Sequence, residues 1–406
     1  MITPAYSTTA TERVLPRMAL DFTTGVLDPR VTVTRALNTA TAVNSSGLVA
    51  IVNANLPRFD YNPATLAPNG LLIEESRTNF LTRSSELATA PWTTNQVTVS
   101  ADATTSPDGT ANADKVIPSI VSGAHNIYQS YVYTAVAHTL SVYAKAGGYN
   151  WIRLGSMFTG QGVFFDVANG VVGTVSAGYT GTIAAAGNGW YRCTVTRTAT
   201  AGADLPGFYV SNSGSTVSFA GDGTSGVFAW GAQLEVGAFA TSYIPTTTLA
   251  VTRNGDSVSM TGTNFSSWYN GTAGTFGIEA DSATVASVGF LLTADDGTNN
   301  NRFGFYRSGT ACAGYVVTGG ATQMELTRSS IAVNTAFKAT VAATSNNGNL
   351  AFNTSLAAGD NTITMPTVTR LTIGGSAGAV AWFGHIAKIS YWPQRLLNAE
   401  LQAFSK

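Results

Sequence analysis

The chain has 406 residues, more than one compact core usually holds, so two or three domains are expected. Lys and Arg number 21 against 22 Asp and Glu, a formal charge of -1, and no long-range field draws such a chain to nucleic acid or an anionic membrane. With 42 glycines, 44% hydrophobic and only 11% charged residues, and alternating runs such as VTVTR and YRCTVTRT, the composition is that of an all-β protein with many turns.

Residues 1–80 read as a lead-in module. The start, MITPAYSTTATERVLPRMAL, carries Pro4 and Pro16 and has no basic segment followed by an apolar one. No cleaved secretory signal is therefore expected. Nowhere does the chain approach the ~18 apolar residues of a membrane span, so no membrane insertion is expected. VTVTR (31–35) is a short strand. TAVNSSGLVAIV (41–52) reads as a hairpin, with Asn44-Ser45-Ser46-Gly47 as its turn. A Pro-rich stretch (57–70) leads into GLLIEESRTNFL (70–81), an extended segment.

Residues 81–250 read as a first β domain. Its strands are NQVTVS (95–100), NIYQSYVY (126–133), HTLSVYAKA (138–146), NWIRLGS (150–156), GVFFDV (162–167), GWYRCTVTRT (189–198), GFYVS (207–211) and GVFAWGAQLE (226–235). Short strands at this spacing indicate a sandwich or jelly roll. TSYIPTTTLAVTRNGD (241–256) is a linker or final strand. A second β domain over 251–406 includes GTFGIEAD (274–281), VGFLLTAD (288–295), NRFGFYR (301–307), GYVVT (314–318), AFKATVAAT (336–344), LTIGG (371–375) and GHIAKISYW (384–392). NAELQAFSK (398–406) is a helix with Asn398 as its cap.

Chemistry finds little purchase. The histidines are His125, His138 and His385, none beside an activating motif, and GxSxG is absent, so no nucleophilic site is expected. Glycoside hydrolysis needs two facing carboxylates about 5–9.5 Å apart. Glu279 and Asp281 alternate onto one face, but the next position of an E-x-D-x-E pattern is Ala283. Neighbours in an extended chain point to opposite faces, so Glu74 and Glu75 cannot flank one bond. Glu75 shares a face with Arg77 instead, and the two are expected to form a structural joint, with Glu74 turned the other way towards backbone amides. Cys193 and Cys312 are too far apart for a zinc motif and read as buried thiols. Sugar binding uses exposed rings, for which Trp92, Tyr128, Tyr149 and Trp151 are candidates, a place in the core being the competing assignment. Tyr131 is odd-spaced from Tyr128 and faces the other side.

PRFDYNPATLAPNGLLIEESRTNFL, SSELATAPWTTNQVTVSADATTSPDGTANADKV (84–116) and GVFAWGAQLEVGAFATSYIPTT (226–247) resemble a family of tailed-phage virion proteins with a carbohydrate-binding-module-like jelly roll. The last domain, from GTFGIEAD to GHIAKISYWPQRLLNAEL, resembles concanavalin A-like (laminin-G-like) lectin domains. The resemblance implies a bacteriophage virion structural protein of a surface appendage, a tail or head fibre or decoration. Its N-terminal region would attach to other virion proteins, its oligomer would be a trimer, and it would bind host-surface glycans without being an enzyme. It would be made in the host cytoplasm. The competing assignments are a polysaccharide-degrading tail protein and a decoration protein that binds no sugar. Related modules hold structural calcium, for which Asp108, Asp114, Asp295 and Asp296 are the candidates here; no other cofactor is implied. Glu75→Ala or Arg77→Ala is expected to loosen the joint and lower the melting temperature, read from a thermal unfolding curve.

Overall fold

Strands that alternate apolar and polar side chains bury one face each, so they are stabilised by stacking sheets face to face. The computed structural model, which describes residues 15–285, 287–376 and 382–406, has this all-β architecture. Residues 1–14 of the expected lead-in, with Pro4, lie outside the described residues. Helix among the described residues is limited to Phe22–Thr24, Thr263–Ser266 and Asn398–Phe404. None of these is long and apolar enough to cross a membrane. The chain divides into two compact units, Thr34–Asp256, and Met1–Val33 with Ser257–Lys406.

The unit Thr34–Asp256 is a jelly-roll sandwich. Its 6-stranded sheet has the order Tyr179–Ala185, Tyr191–Thr198, Ala137–Gly147, Gly226–Val236, Ala113–Pro118, Val97–Thr104. Its 7-stranded sheet runs Val171–Val175, Gly162–Asp166, Trp151–Ser156, Pro206–Ser211, Gly123–Tyr128, Ser218–Phe219, with Thr93–Asn95 also on Gly123–Tyr128. Leu140, Val142, Val195 and Leu234 of the first sheet share one core with Ile152, Leu154, Phe165 and Phe208 of the second. Each such side chain contributes about 1.5–3 kcal/mol on burial. Cys193 lies in this core, and both it and Cys312 are buried free thiols. The segment read as one strand, NIYQSYVY, is two: Gly123–Tyr128 belongs to the 7-stranded sheet, and Tyr131–Tyr133 pairs with Gly202–Asp204. Gln129 makes the break, because its side chain turns aside to bond both backbone groups of Thr82.

The second unit is also a sandwich. One sheet has the order Ser355–Leu356, Asn347–Phe352, Phe337–Thr344, Ala273–Ala280, Gly384–Trp392, with Met18–Asp21 also paired to Gly384–Trp392. The other contains Ser257–Thr261, Arg370–Ile373, Gly289–Asp295, Arg302–Ser308, Ala311–Thr318 and Ala321–Ser329 in that order. Rings from the two sheets meet in the middle, Phe276 with Phe303 at 5.3 Å and Phe305 with Phe337 at 6.0 Å between centroids. A Cβ at Gly314 would lie 2.5 Å from Val341 of the facing sheet, so only glycine lets the sheets approach this closely. The C-terminal helix starts one residue earlier than expected. Leu397 is its N-cap, its N–H donating to Glu400, while the Asn398 side chain accepts from Arg395.

Residues 34–80, read from sequence as part of a module over 1–80, are grouped with the unit Thr34–Asp256, where a buried ion network ties them to residues 242–256. Arg58 donates to Glu74 at 2.5 Å and to both oxygens of Asp256. Arg35 donates to Asp256 at 2.9 Å and to the carbonyls of Asn53 and Leu56. Glu74 accepts from the backbone and the hydroxyl of Ser242, both at 2.7 Å. Arg253 approaches Glu74 at 3.4 Å. Three cations thus face two anions, and Arg253 has the loosest contact, with its Nε and Nη2 short of hydrogen-bond partners.

Burial alone would raise the pKa of Glu74, but Arg253 and Arg58 outweigh it and hold the carboxyl well below the usual range. Its folded pKa therefore lies below the unfolded value of about 4.3. The resulting stability is fully present above that value and is lost as pH falls through the folded pKa. Unfolding free energy should begin to drop below about pH 5, and Glu74→Gln should flatten that part of the profile. Arg58→Ala removes the cation bonded to both buried carboxylates and is expected to cost about 3–5 kcal/mol in denaturant unfolding. Arg253→Met, removing the excess cation, should cost less than half as much.

Candidate functional site

In the strand Trp151–Ser156 the residues Ile152 and Leu154 point into the core, so Trp151, Arg153 and Gly155 point outward. The same alternation turns Phe164 outward between Val163 and Phe165, and Tyr209 outward between Phe208 and Val210. Register then sets these residues side by side. Asn95 faces Asn126, Asn126 faces Tyr209, Tyr209 faces Arg153, and Arg153 faces Phe164. One row of polar and aromatic side chains crosses the outer face of the 7-stranded sheet. The row beside it is Thr93, Tyr128, Gly207, Gly155 and Gly162. Its three glycines are required by close backbone approach, since a Cβ at Gly207, Gly155 or Gly162 would lie 2.1, 2.3 or 2.2 Å from a neighbouring carbonyl oxygen. They leave bare backbone next to the arginine.

Arg153 is the chemical centre of the face. Its guanidinium lies 4.2 Å from the Tyr209 ring centroid and 5.8 Å from that of Phe164. It is only 7% exposed, and its Nε and Nη2 have no hydrogen-bond partner. The side-chain oxygen of Asn126, two strands away in the same row, also lacks a partner. Burial pushes the Arg153 pKa down, opposed by the Tyr209 hydroxyl. A buried cation without a carboxylate costs free energy that an anion would relieve. Arg197, on the facing sheet, shows the satisfied alternative. It is bonded to Asp204 and lies 4.7 Å from the Tyr133 ring. The adjoining interior cavity, lined by Tyr133, His138 and Tyr179, holds only about 10 Å³, too little for a sugar.

The four aromatic candidates read from sequence are spread over different environments. Trp92 is a core residue, 8% exposed, with its indole N–H donating to the carbonyl of Arg83, and so it offers no ring face to a ligand. Tyr149 packs edge-on against Phe219 and against the core. Trp151 lies on the outer face beside Arg153, its ring held against Gly173 and Gly214, where a Cβ would come within 2.6 and 2.8 Å of it. Tyr128 is half-buried at the end of the glycine row. Arg153, Tyr209, Phe164 and Asn126 were not among the candidates. The common signal of Arg153, Tyr209 and Phe164 in the sequence is an outward position between two core residues, while Asn126 lies between the buried His125 and the core residue Ile127.

Arg77 is bonded to Glu75 and to the carbonyl of Val236, and the two side chains line an open groove of about 370 Å³ with Thr78, Phe80 and Gly237. Glu279 pairs with Lys338 at 3.2 Å. A register shift between Glu279 and Ala280 takes Asp281 out of the alternation, and Asp281 bonds His385 instead. Each of the four carboxylates considered for calcium accepts hydrogen bonds from neighbouring groups. Asp108 accepts from Ser106, Thr110 and Asn112, and Asp114 from the backbone of Ala88 and Asp102. Asp295 accepts from Arg370, Thr372 and Gly297, and Asp296 from Thr298 and Asn301. Among the described residues no three His, Cys, Asp or Glu side chains are grouped to hold a metal.

No protein family matches the chain, and no curated protein matches it. Solved structures share a partial likeness. The sialidase module CBM40 of Ruminococcus gnavus, bound to α2,3-sialyllactose, is 19% identical over 34% of this chain and 84% of that one, with a TM-score of 0.31. The NanB sialidase of Streptococcus pneumoniae is 15% identical over 36% of this chain and 26% of its own, TM-score 0.31. The leech intramolecular trans-sialidase is 20% identical over 34% and 23%, TM-score 0.28. The likeness thus spans about a third of this chain and about a quarter of each of the two sialidases.

The contrast between the two arginines is measurable. Arg153→Met removes an unpaired buried cation and should leave the melting temperature unchanged or raise it. Arg197→Met strands Asp204 and should lower stability by up to about 3 kcal/mol.

Proposed function

We propose that the protein binds glycans through the Arg153 face, and that the preferred ligand is an acidic sugar. The observation that carries this reading is the guanidinium of Arg153, held between two aromatic rings with two N–H groups unpartnered. A planar fork of donors matches a carboxylate, and aromatic walls match the apolar face of a pyranose. Asn126 offers an acceptor for a sugar hydroxyl, and the glycine row lets the ligand reach backbone. Binding at one such site is weak, and many copies on one particle would strengthen it. The sequence strings that resemble tailed-phage virion proteins support placing those copies on a surface appendage, attached through the N-terminal region and trimeric.

The test is calorimetry of the intact chain with 3′-sialyllactose, an available carboxylate-bearing sugar. Binding is expected, with affinity falling at least about tenfold, or 1.4 kcal/mol, in Arg153→Met and clearly in Asn126→Ala. Affinity should also fall as salt rises. No binding by the unchanged chain, or equal binding by Arg153→Met, overturns the reading.

A further inference from the structure

A second constellation lies on the other sandwich. In the sheet that contains Gly289–Asp295, Arg302–Ser308 and Ala311–Thr318, the side chains of Leu292, Phe303 and Phe305 are fully buried, and alternation turns Arg302, Gly304, Tyr306 and Tyr315 to the opposite face. Phe290 faces Tyr306 in register, with ring centroids 5.3 Å apart. Tyr315 stands edge-on to Tyr306 at 5.4 Å. Phe290 and Tyr306 remain half-exposed.

Charged groups frame these rings. The Arg302 guanidinium lies 5.7 Å from the Phe290 centroid and 5.6 Å from that of Tyr315, and its Nε is buried without a partner. Glu325 faces Tyr315 in register, is exposed, and accepts the Tyr306 hydroxyl. Between Thr293 and Tyr315 sits Gly304, where a Cβ would lie 2.2 Å from the Leu292 carbonyl, so the floor is bare here too.

We propose that this face is a second carbohydrate site and that it takes a neutral saccharide. The apolar face of a pyranose would lie against Phe290 and Tyr306. One sugar hydroxyl would donate to Glu325, and another would accept from the half-buried Arg302 guanidinium. The exposed carboxylate of Glu325 disfavours the acidic sugars suited to Arg153, so the two faces select different glycans. The inference stands apart from the Arg153 reading, because no residue is shared.

A microarray of neutral oligosaccharides probed with the full chain tests it. Signals are expected, lost in Tyr306→Ala, reduced about tenfold or more in Glu325→Gln, and kept in Arg153→Met. A melting curve is measured for each variant. If Tyr306→Ala destabilises the fold, Glu325→Gln at its exposed position decides. The proposal is overturned if the unchanged chain gives no neutral-glycan signal, or if Glu325→Gln leaves the signals intact. It is equally overturned if Arg153→Met abolishes them.

Discussion

The jelly-roll unit depends on a buried cluster of charge. Arg58 is fully buried and reaches two carboxylates that lie far from each other in the chain, Glu74 and Asp256. A charge removed from water this completely is tolerated only if every partner is in place. Glu74 must therefore meet Ser242, Asp256 must meet Arg35, and the residues between 35 and 74 must lie against those between 242 and 256. The network fixes where the chain enters the sandwich and where it leaves. Hydrophobic burial supplies most of the stabilisation of the sheets, but it is non-directional and cannot specify this register. Charge-assisted hydrogen bonds can, because each has a geometry.

The same physics explains why arginines in one unit differ in role. Arg58, which is buried, and Arg197, which is half-buried, are each bonded to a carboxylate and act as fasteners. Arg153 is buried with aromatic rings and no carboxylate, so the fold leaves its charge uncompensated. Sheet sterics add the second ingredient. Gly155, Gly162 and Gly207 align because their backbones pass too close for a side chain, and the result is bare floor beside the unpaired cation. Gly304 has the same relation to Arg302 and Tyr306 in the other unit.

Some of these outward positions are legible in the sequence and others are not, for definite physical reasons. Trp151 and Tyr128 were legible as aromatics in strands, and alternation correctly separates Trp151 from Ile152. Trp92 was equally legible but is core, because an isolated indole in a loop gives no period from which burial can be read. Arg153, Tyr209 and Phe164 lie in three strands of the right type, yet nothing in WIRLGS, VFFD or GFYVS states that these three positions face one another. That fact belongs to register. Strands such as Val171–Val175 and Tyr179–Ala185 escaped notice because glycine and alanine dilute their alternation.

The sequence by itself determined the all-β class, the inward and outward faces of most strands, and the opposition of Glu74 to Glu75. These are consequences of the two-residue period of an extended chain, a local property. Tertiary structure alone decided which carboxylates neutralise Arg58, which arginine is left without one, and which outward side chains share a row. Those outcomes depend on pairing between segments up to about two hundred residues apart, as in the Arg58–Asp256 contact with its separation of 198. Local alternation carries no information about such partners, because it says which face a residue takes and not whom it meets there.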